Sequence, residues 1–391
     1  MASRSVSGGA SQHVAPIALG LLAVALAACS ATYKGFPDGG PFELRGDTTA
    51  AWGAKDGLPC VADVPAALRR LGRRGATLGF HLAGAEPVGG YRRHWQGVQR
   101  SASTDETHLF VSRSGSPTAV LIVALASRPS TGGPLGATWS ADTGSSQPSA
   151  PPDTDRVVAR VPFDSGFAHA GGLALVGTVL AVPVDGGGRS QIVFYDVEHP
   201  ERPRRLSTLD HSEAPSPSTG REASAVALGR LADGRYLLVL GVHSSKILEF
   251  YLSNGESLRS DRLAWQRIGI RTGQGVGGFQ NLAVLTQCDG EMYLIGTHNT
   301  AVPPPSRGRD HVHWYRLGTE SDGRMMVRKA GERWMHCRYC NFAAGGGLYL
   351  TPSGEVLVYA SGFWTRSPGE WVVLEEFTPD TTPPPPTARP R

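Results

Sequence analysis

The sequence lacks a strong charge of either sign. Charged residues make up 18% of its 391 residues, and Lys plus Arg exceed Asp plus Glu by only four. The basic residues are spread along the chain rather than gathered in a dense stripe. Binding to nucleic acid is therefore disfavoured, because contacts with phosphate groups require clustered Lys and Arg.

Signatures of the commonest enzyme classes are also missing. There is no Gly-x-Ser-x-Gly, no His-Glu-x-x-His and no phosphate-binding Gly-Lys-Ser/Thr sequence. No cofactor is predicted.

The chain is rich in two residue types, with 50 Gly and 29 Pro. Such a composition provides many turns and few long helices, which favours an all-β protein.

Long apolar runs are scarce as well, and the longest lies near the N-terminus. A polar segment with Arg4 precedes the twelve-residue run from Ile17 to Ala28. A helix needs about 20 residues to cross a hydrocarbon core of roughly 30 Å, so this run is not a membrane span. Residues 1–28 instead read as an export signal.

The end of that signal, Leu26-Ala27-Ala28-Cys29, resembles the lipobox of bacterial lipoproteins. The resemblance implies that Cys29 is the lipidated first residue of the mature chain, with acyl chains such as palmitate as its membrane anchor. With Ser30 next, it also implies retention at the outer membrane if the envelope has two membranes. The alternative is ordinary signal cleavage beside an unmodified cysteine.

We divide the remaining chain into three parts. Residues 29–56 form a tether, residues 57–378 one large domain, and residues 379–391 a disordered Pro-rich tail. The domain begins with a short predicted helix, which runs from Asp63 as N-cap to a stop at Gly72.

A repeat occurs five times after residue 90, and each copy has an apolar strand, a tight turn, a second apolar strand, a polar loop and a third strand. Such units cannot bury their apolar faces alone and must pack on one another. Gly177, Gly234, Gly290 and Gly354 fit two-residue hairpins, which demand a positive φ. The near-continuous apolar runs predict strands buried on both faces.

Four copies continue into a more polar fourth strand, at Arg156–Val161, Arg204–Leu209, Arg262–Ile268 and Arg324–Arg328. The fifth copy has no such strand, whereas one unpaired strand, Ala76–Leu82, lies upstream of the first. An N-terminal strand that completes the last sheet is how β-propellers close. We therefore predict a five-bladed β-propeller, with a degenerate sixth blade in residues 35–90 as the alternative.

One blade resembles a known repeat. Ile192–Pro203, read as Ile-Val-Phe-Tyr-Asp-Val-Glu-His-Pro-Glu-Arg-Pro, is similar to the LVIVD-type propeller repeat of bacterial exported proteins. The other blades keep only its hydrophobic pattern. The resemblance implies a surface or envelope protein and no particular reaction.

In a propeller, the loops that enter strand one and the loops that leave strand two lie on the same face of the disc. Polar residues at these positions are predicted to form one rim: His94, Gln96, His169, Glu222, Gln280, Asn281 and Asn341 before strand one, and Arg113, Asp185, His243 and His298 after strand two.

Three interpretations of this rim stay open. It could bind a polar ligand as part of an envelope binding or scaffold module, with an unknown protein or small molecule as partner. It could hold a metal through His169, Glu222, His243 and His298, or supply a general base, in a hydrolase or lyase with its site in the central funnel. The residues could also be structural only. We predict the first.

Besides Cys29 the chain has four cysteines, and these allow three disulfide pairings. Cys288 falls in a turn on the opposite face from Cys337 and Cys340, so we predict the bonds Cys60–Cys288 and Cys337–Cys340. Zinc binding by all four would require them to meet. A thioredoxin-like role for Cys337 and Cys340 would need a helix start, whereas a strand follows them.

Overall fold

The structure is a computed structural model, which describes residues 59–81, 94–102, 107–115, 117–125, 134–135, 155–212, 222–271, 278–300, 309–319, 325–362 and 371–380. The predicted signal segment, the lipidation site Cys29, the tether and the tail beyond Asp380 lie outside these residues, as do most of the loop insertions.

The described residues form one helix and 21 strands, arranged as five sheets around a ring. The N-terminal segment contains α1 Val64–Arg70 and β1 Ala76–His81. Blade one consists of β2 Trp95–Ala102, β3 Thr107–Arg113, β4 Ala119–Leu125 and β5 Asp155–Pro162, and blade two of β6 His169–Ala170, β7 Ala174–Val176, β8 Val179–Gly186, β9 Arg189–Asp196 and β10 Arg204–Asp210. Blade three consists of β11 Ala223–Arg230, β12 Tyr236–Val242, β13 Ile247–Ser253 and β14 Trp265–Arg271; blade four of β15 Phe279–Thr286, β16 Met292–Asn299, β17 Asp310–Thr319 and β18 Met325–Met335; and blade five of β19 Gly346–Leu350, β20 Val356–Ala360 and β21 Trp371–Phe377, with β1 as its outer strand.

The ring is a five-bladed β-propeller, and its predicted closure is confirmed. The last sheet has the order β1-β21-β20-β19, so a strand from the start of the domain completes the blade formed by its end. β1 runs antiparallel to β21 with Leu78 opposite Leu374 and Phe80 opposite Val372. β1 thus takes the outermost place in the last blade, the place that the fourth strand takes in the other blades, and its pairing joins the two ends of the domain.

The apolar runs are buried because blades pack face to face. β3, β4, β12 and β13 are buried along their whole length, whereas the outer strand β10 is only partly covered. One core cluster contains Val239 and Phe250 of blade three together with Leu294 and Tyr315 of blade four. The core therefore lies between neighbouring sheets, as the repeat predicts.

The turns between strands one and two are only partly as predicted. Gly177, Gly234, Gly290 and Gly354 all have positive φ, which glycine adopts without steric cost. Only Gly177 lies in a two-residue hairpin, where Val176 pairs with Val179. At the other three the loop has three residues; Leu231 N–H, for example, donates to the carbonyl of Arg235, and Gly234 N–H to that of Leu231.

Two other predictions require correction. The outer strand of blade three begins at Trp265 rather than Arg262, because Arg259–Leu263 form turns. The first strand of blade two is split into β6 and β7 by Gly171 and Gly172, which contact the neighbouring blade instead of continuing the ladder.

Glycines let the innermost strands touch through their backbones. A Cβ atom on Gly171 would lie 2.0 Å from the carbonyl oxygen of Ser224, and one on Gly347 would lie 1.6 Å from that of Val98. Gly172 N–H donates to Ser224 at 3.0 Å, so blades two and three are joined by a backbone hydrogen bond. A side chain at these positions would force the blades apart.

The N-terminal segment is fastened to blades four and five. Asp63 caps α1 by accepting from Ala66 N–H at 2.7 Å, as predicted. The disulfides Cys60–Cys288 and Cys337–Cys340 are both present, which supports the predicted pairing. Leu71 forms a bridge with Pro379, and Asp380 N–H donates to the carbonyl of Arg70, so the C-terminal end of the described chain lies beside α1. None of the described helices has the length and apolarity that crossing a membrane requires.

We predict that Gly171→Ala destabilises the protein by about 2 kcal/mol or more, because its Cβ would overlap a backbone oxygen that cannot move without opening the ring. Gly318→Ala is the matched control, since the nearest atom to its Cβ is the flexible end of Met326 at 3.5 Å. Urea unfolding of the two variants measures the difference. Equal midpoints for the two would contradict this account of the ring centre.

Candidate functional site

Two histidine–carboxylate pairs lie on neighbouring blades at the predicted rim. In blade two, His169 and Asp185 are cross-strand partners at the ends of β6 and β8, and His169 Nδ1 lies 3.1 Å from Asp185 Oδ1. In blade three, His243 Nδ1 lies 3.7 Å from Glu222 Oε2. We call these four residues the paired-histidine site.

The two pairs differ in exposure. The His169 and Asp185 side chains are 19% and 10% exposed, whereas those of His243 and Glu222 are 45% and 40% exposed. The His169–Asp185 pair is thus the more shielded from solvent, and the His243–Glu222 pair is the more accessible to a ligand.

An unusual turn positions His243. Three consecutive residues without glycine, His243, Ser244 and Ser245, have φ values of 54°, 53° and 53°. Each is in the left-handed region, which costs a residue with a side chain of order 1 kcal/mol and is concentrated at functional sites.

Hydrogen bonds from two blades hold this turn in place. Ser244 N–H donates to Ser224 Oγ at 2.7 Å, and Ser245 Oγ donates to the carbonyl of Phe279 at 2.7 Å. His243 N–H donates to the carbonyl of Glu222 at 2.9 Å. These contacts offset the backbone strain and fix both partners of the exposed pair relative to each other.

The charges within the site shift two pKa values upward. Burial disfavours the protonated form of His169, but the hydrogen bond to Asp185 and the negative charges of Asp185 and Glu222 outweigh it and raise the pKa of His169 above 6.5. Burial and the nearby charge of Asp185 raise the pKa of Glu222, although His169, His243 and Lys246 act in the opposite direction. Near neutral pH the site therefore offers both hydrogen-bond donors and hydrogen-bond acceptors.

Other predicted rim residues do not join this site. His94 accepts a hydrogen bond from the Gln96 amide at 3.0 Å, and both side chains are buried. Asn341 accepts from Ala343 N–H at 2.7 Å and stabilises a local turn. The backbone carbonyl oxygen of Gln280 lies beside Gly172. Asn281 and Arg113 are buried.

His298 contacts residues of its own blade four. Its Nδ1 donates to the carbonyl of Gly278 at 3.0 Å, and its ring packs edge-on against Phe279. Burial lowers the pKa of His298 to about 4, so the ring is neutral at neutral pH. The similar repeat positions of His243 and His298 therefore do not give them similar surroundings.

The predicted metal set is not gathered into a compact group. Among the described residues, two groups of three potential ligands have their ligand atoms within 4.8 Å of one another: His311 with His313 and Glu332, and Cys337 with Cys340 and Glu375. Neither group includes His169, Glu222, His243 or His298. The second group contains the disulfide, which removes both thiolates as ligands.

The group of His311, His313 and Glu332 was not predicted from the sequence, although the sequence contains a signal for its two histidines. His311-Val312-His313 lies within a predicted strand, and residues two apart in a strand point to the same face. Glu332 could not have been found in this way, because its position opposite His313 depends on the register of β18.

No family model and no curated protein matches the chain. Solved structures are similar to it at low identity. The Bombyx mori GH32 beta-fructofuranosidase BmSUC1 is 11% identical with a TM-score of 0.44, over 80% of this chain and 64% of that one, so the chain spans less than two thirds of that enzyme. A GH43_1 enzyme from Xanthomonas citri is 11% identical with a TM-score of 0.43, over 80% of this chain and 93% of that one. The GH43 beta 1,3 galactosidase BT3683 is 10% identical with a TM-score of 0.38, over 72% and 90%. At these values the likeness does not extend to the chemistry of a site.

We predict that Asp185→Asn lowers the pKa of His169 below 6.5, because burial then acts with less opposition. In the native protein the raised pKa means that the pair stabilises the fold fully at pH values below about 6.5 and that this contribution is lost as pH rises through the raised value. Histidine ring signals followed by NMR between pH 4 and 9 measure the shift. An unchanged pKa for His169 in the Asp185→Asn variant would show that Asp185 does not stabilise the protonated histidine ring.

Proposed function

We propose that the protein is a lipid-anchored envelope β-propeller that binds a small, hydroxyl-rich ligand at the paired-histidine site. The observation that carries the proposal is that a strained turn holds His243 beside Glu222, on the blade next to the less exposed His169–Asp185 pair. Strain of this kind persists only where surrounding contacts over-determine it, and it is concentrated where a side chain must be held for binding.

The chemistry of the four side chains indicates the class of ligand. Each pair places a nitrogen donor beside a carboxylate acceptor, and a hydroxyl group both donates and accepts. The two carboxylates disfavour an anionic ligand by like-charge repulsion. Neutral saccharides and amino sugars supply several adjacent hydroxyl groups without negative charge, and we assign the ligand to that class.

The envelope part of the proposal is supported by the N-terminal sequence. The apolar run from Ile17 to Ala28, followed by Cys29, has the spacing of a lipoprotein signal, and two disulfides suit an oxidising compartment. The LVIVD-like segment in blade two supports the same address. Anchoring would place the propeller at a membrane surface through a tether.

A second candidate function uses the same residues. The raised pKa of Glu222 beside the negative charge of Asp185 is the combination that pairs a proton donor with an ionised carboxylate. This favours a hydrolase or lyase in which Glu222 protonates a leaving group and Asp185 stabilises positive charge.

For the binding site we expect Glu222→Gln and His243→Ala each to weaken binding of a neutral saccharide or amino sugar about tenfold, since His243→Ala removes a hydrogen bond to the ligand and Glu222→Gln replaces a charged acceptor with a weaker neutral one. Calorimetric titration of the purified protein with a panel of such sugars measures the affinity. His199→Ala, an exposed histidine outside the site, is the matched control.

Two outcomes would change the assignment. Binding of no member of the panel, or equal binding by the Glu222→Gln, His243→Ala and control proteins, would refute the ligand site. Turnover of a bound sugar by the native protein that Glu222→Gln abolishes without weakening binding would favour the hydrolase.

For the anchor we expect Cys29→Ser to release the exported protein from the membrane fraction and to abolish incorporation of labelled palmitate, because the thiol is the point of acylation. Ser30→Ala keeps the thiol and serves as the control. Fractionation and mass analysis of the mature N-terminus provide the measurements. A Cys29→Ser protein that remains membrane-bound and acylated would contradict the proposed anchor.

A further inference from the structure

A second cluster of histidines lies on blade four. His311 and His313 point to the same face of β17, with ring centroids 5.5 Å apart and planes inclined by 27°. Across the ladder, His311 is opposite His298 of β16, and His313 is opposite Glu332 of β18. The cluster therefore combines three neighbouring strands of one rigid sheet.

The potential ligand atoms of His311, His313 and Glu332 are close together. All three lie within 4.8 Å of one another, and His313 Nδ1 is 3.4 Å from Glu332 Oε2. His313 is 1% exposed and Glu332 is 46% exposed. One buried imidazole, one partly buried imidazole and one solvent-facing carboxylate thus converge at the edge of the blade.

We propose that His311, His313 and Glu332 bind a divalent transition metal ion of the zinc class. Two imidazoles and one carboxylate are a ligand set that zinc takes in proteins, with a fourth position left for water or a substrate. Imidazole also favours the later first-row ions over magnesium and calcium, which prefer oxygen ligands.

The adjustment that the metal requires is small. Zn–N and Zn–O bonds of about 2.0–2.2 Å in a tetrahedron place ligand atoms about 3.3 Å apart. The separation of His313 Nδ1 and Glu332 Oε2 already matches this. His311 is partly exposed and sits in the rigid ladder between β16 and β18, so a rotation of its ring brings its nitrogen into range.

A third histidine, His298, borders the cluster. Its ring packs against that of His313 with centroids 6.1 Å apart, and it is fixed by donation from Nδ1 to the carbonyl of Gly278. His298 lies outside the three-ligand group and restricts the positions that the His313 ring can take.

Lys329 competes with the metal. Its Nζ lies 2.5 Å from Glu332 Oε2, the same oxygen that faces His313. Metal binding must displace this ammonium group, so the lysine lowers the metal affinity. Histidines with a purely structural role would not bind metal more tightly when Lys329 is removed. The proposal can therefore be tested both by variants that weaken metal binding and by a variant that strengthens it.

The test is titration of the purified, untagged full-length protein with Co²⁺, followed by visible absorption, and with Zn²⁺, followed by calorimetry. We expect one equivalent to bind. Glu332→Gln and His311→Gln should each weaken binding tenfold to a hundredfold, and Lys329→Met should strengthen it several-fold. His199→Ala and His243→Ala should have no effect, since neither residue belongs to the cluster.

Each other result would overturn the proposal. Binding of less than half an equivalent by the native protein would remove the site. Affinity that is unchanged in both Glu332→Gln and His311→Gln would place the metal elsewhere, and affinity lost in His243→Ala would place it at the paired-histidine site. His311 is partly exposed and Glu332 is exposed, so the His311→Gln and Glu332→Gln proteins are both expected to fold. Far-UV circular dichroism verifies this.

Discussion

The close approach of neighbouring backbones at the centre of the ring fixes the rest of the structure. Gly172 and Ala225 form a parallel bridge between blades two and three, with hydrogen bonds of 3.0 Å in both directions. His169 lies three residues before Gly172, and Glu222 lies three residues before Ala225. The same bridge that joins the blades therefore sets the separation of the two histidine–carboxylate pairs, because both chains leave it in the same direction. A larger residue than glycine would loosen the ring and the site together.

Closure of the ring depends on a second buried arrangement. Arg100 of blade one donates to the Tyr359 hydroxyl of blade five at 3.2 Å, and that hydroxyl donates to Glu376 at 2.9 Å. Burial and the charge of Glu376 raise the pKa of Tyr359, which keeps the hydroxyl protonated as a donor. Glu376 lies opposite Ala76 of β1, so these polar contacts join the last blade to the first where the two ends of the domain meet. The Arg100 and Glu376 side chains are both fully buried, so removing either charge would leave the other buried without this partner and would destabilise the junction between blades one and five.

The sequence predicted the parts of this structure that follow from periodicity. Apolar runs, glycines at turns and one spare strand were enough for five blades, the closing pair and both disulfides. Rim positions placed His169, Asp185, Glu222 and His243 on one face, since strand order alone determines that face. Sequence could not predict that His298 turns towards Gly278, because the direction of a side chain depends on loop torsions. Nor could it place Glu332 opposite His313, because that register depends on the β18 pairing, which has a bulge at Trp314/Tyr315.

The left-handed turn at His243 links the two histidine clusters through a shared support. Ser244 accepts a hydrogen bond from Gly278 N–H at 2.8 Å, and the Gly278 carbonyl accepts from His298 Nδ1 at 3.0 Å. Gly278 has a φ of 81°, and a Cβ there would lie 2.3 Å from the His298 ring, so glycine is required for both contacts. Strain in the turn is thus balanced against the orientation of a histidine on the next blade. A residue that relaxes this turn would weaken two contacts at once, the pairing of His243 with Glu222 and the hydrogen bond from Gly278 N–H to Ser244.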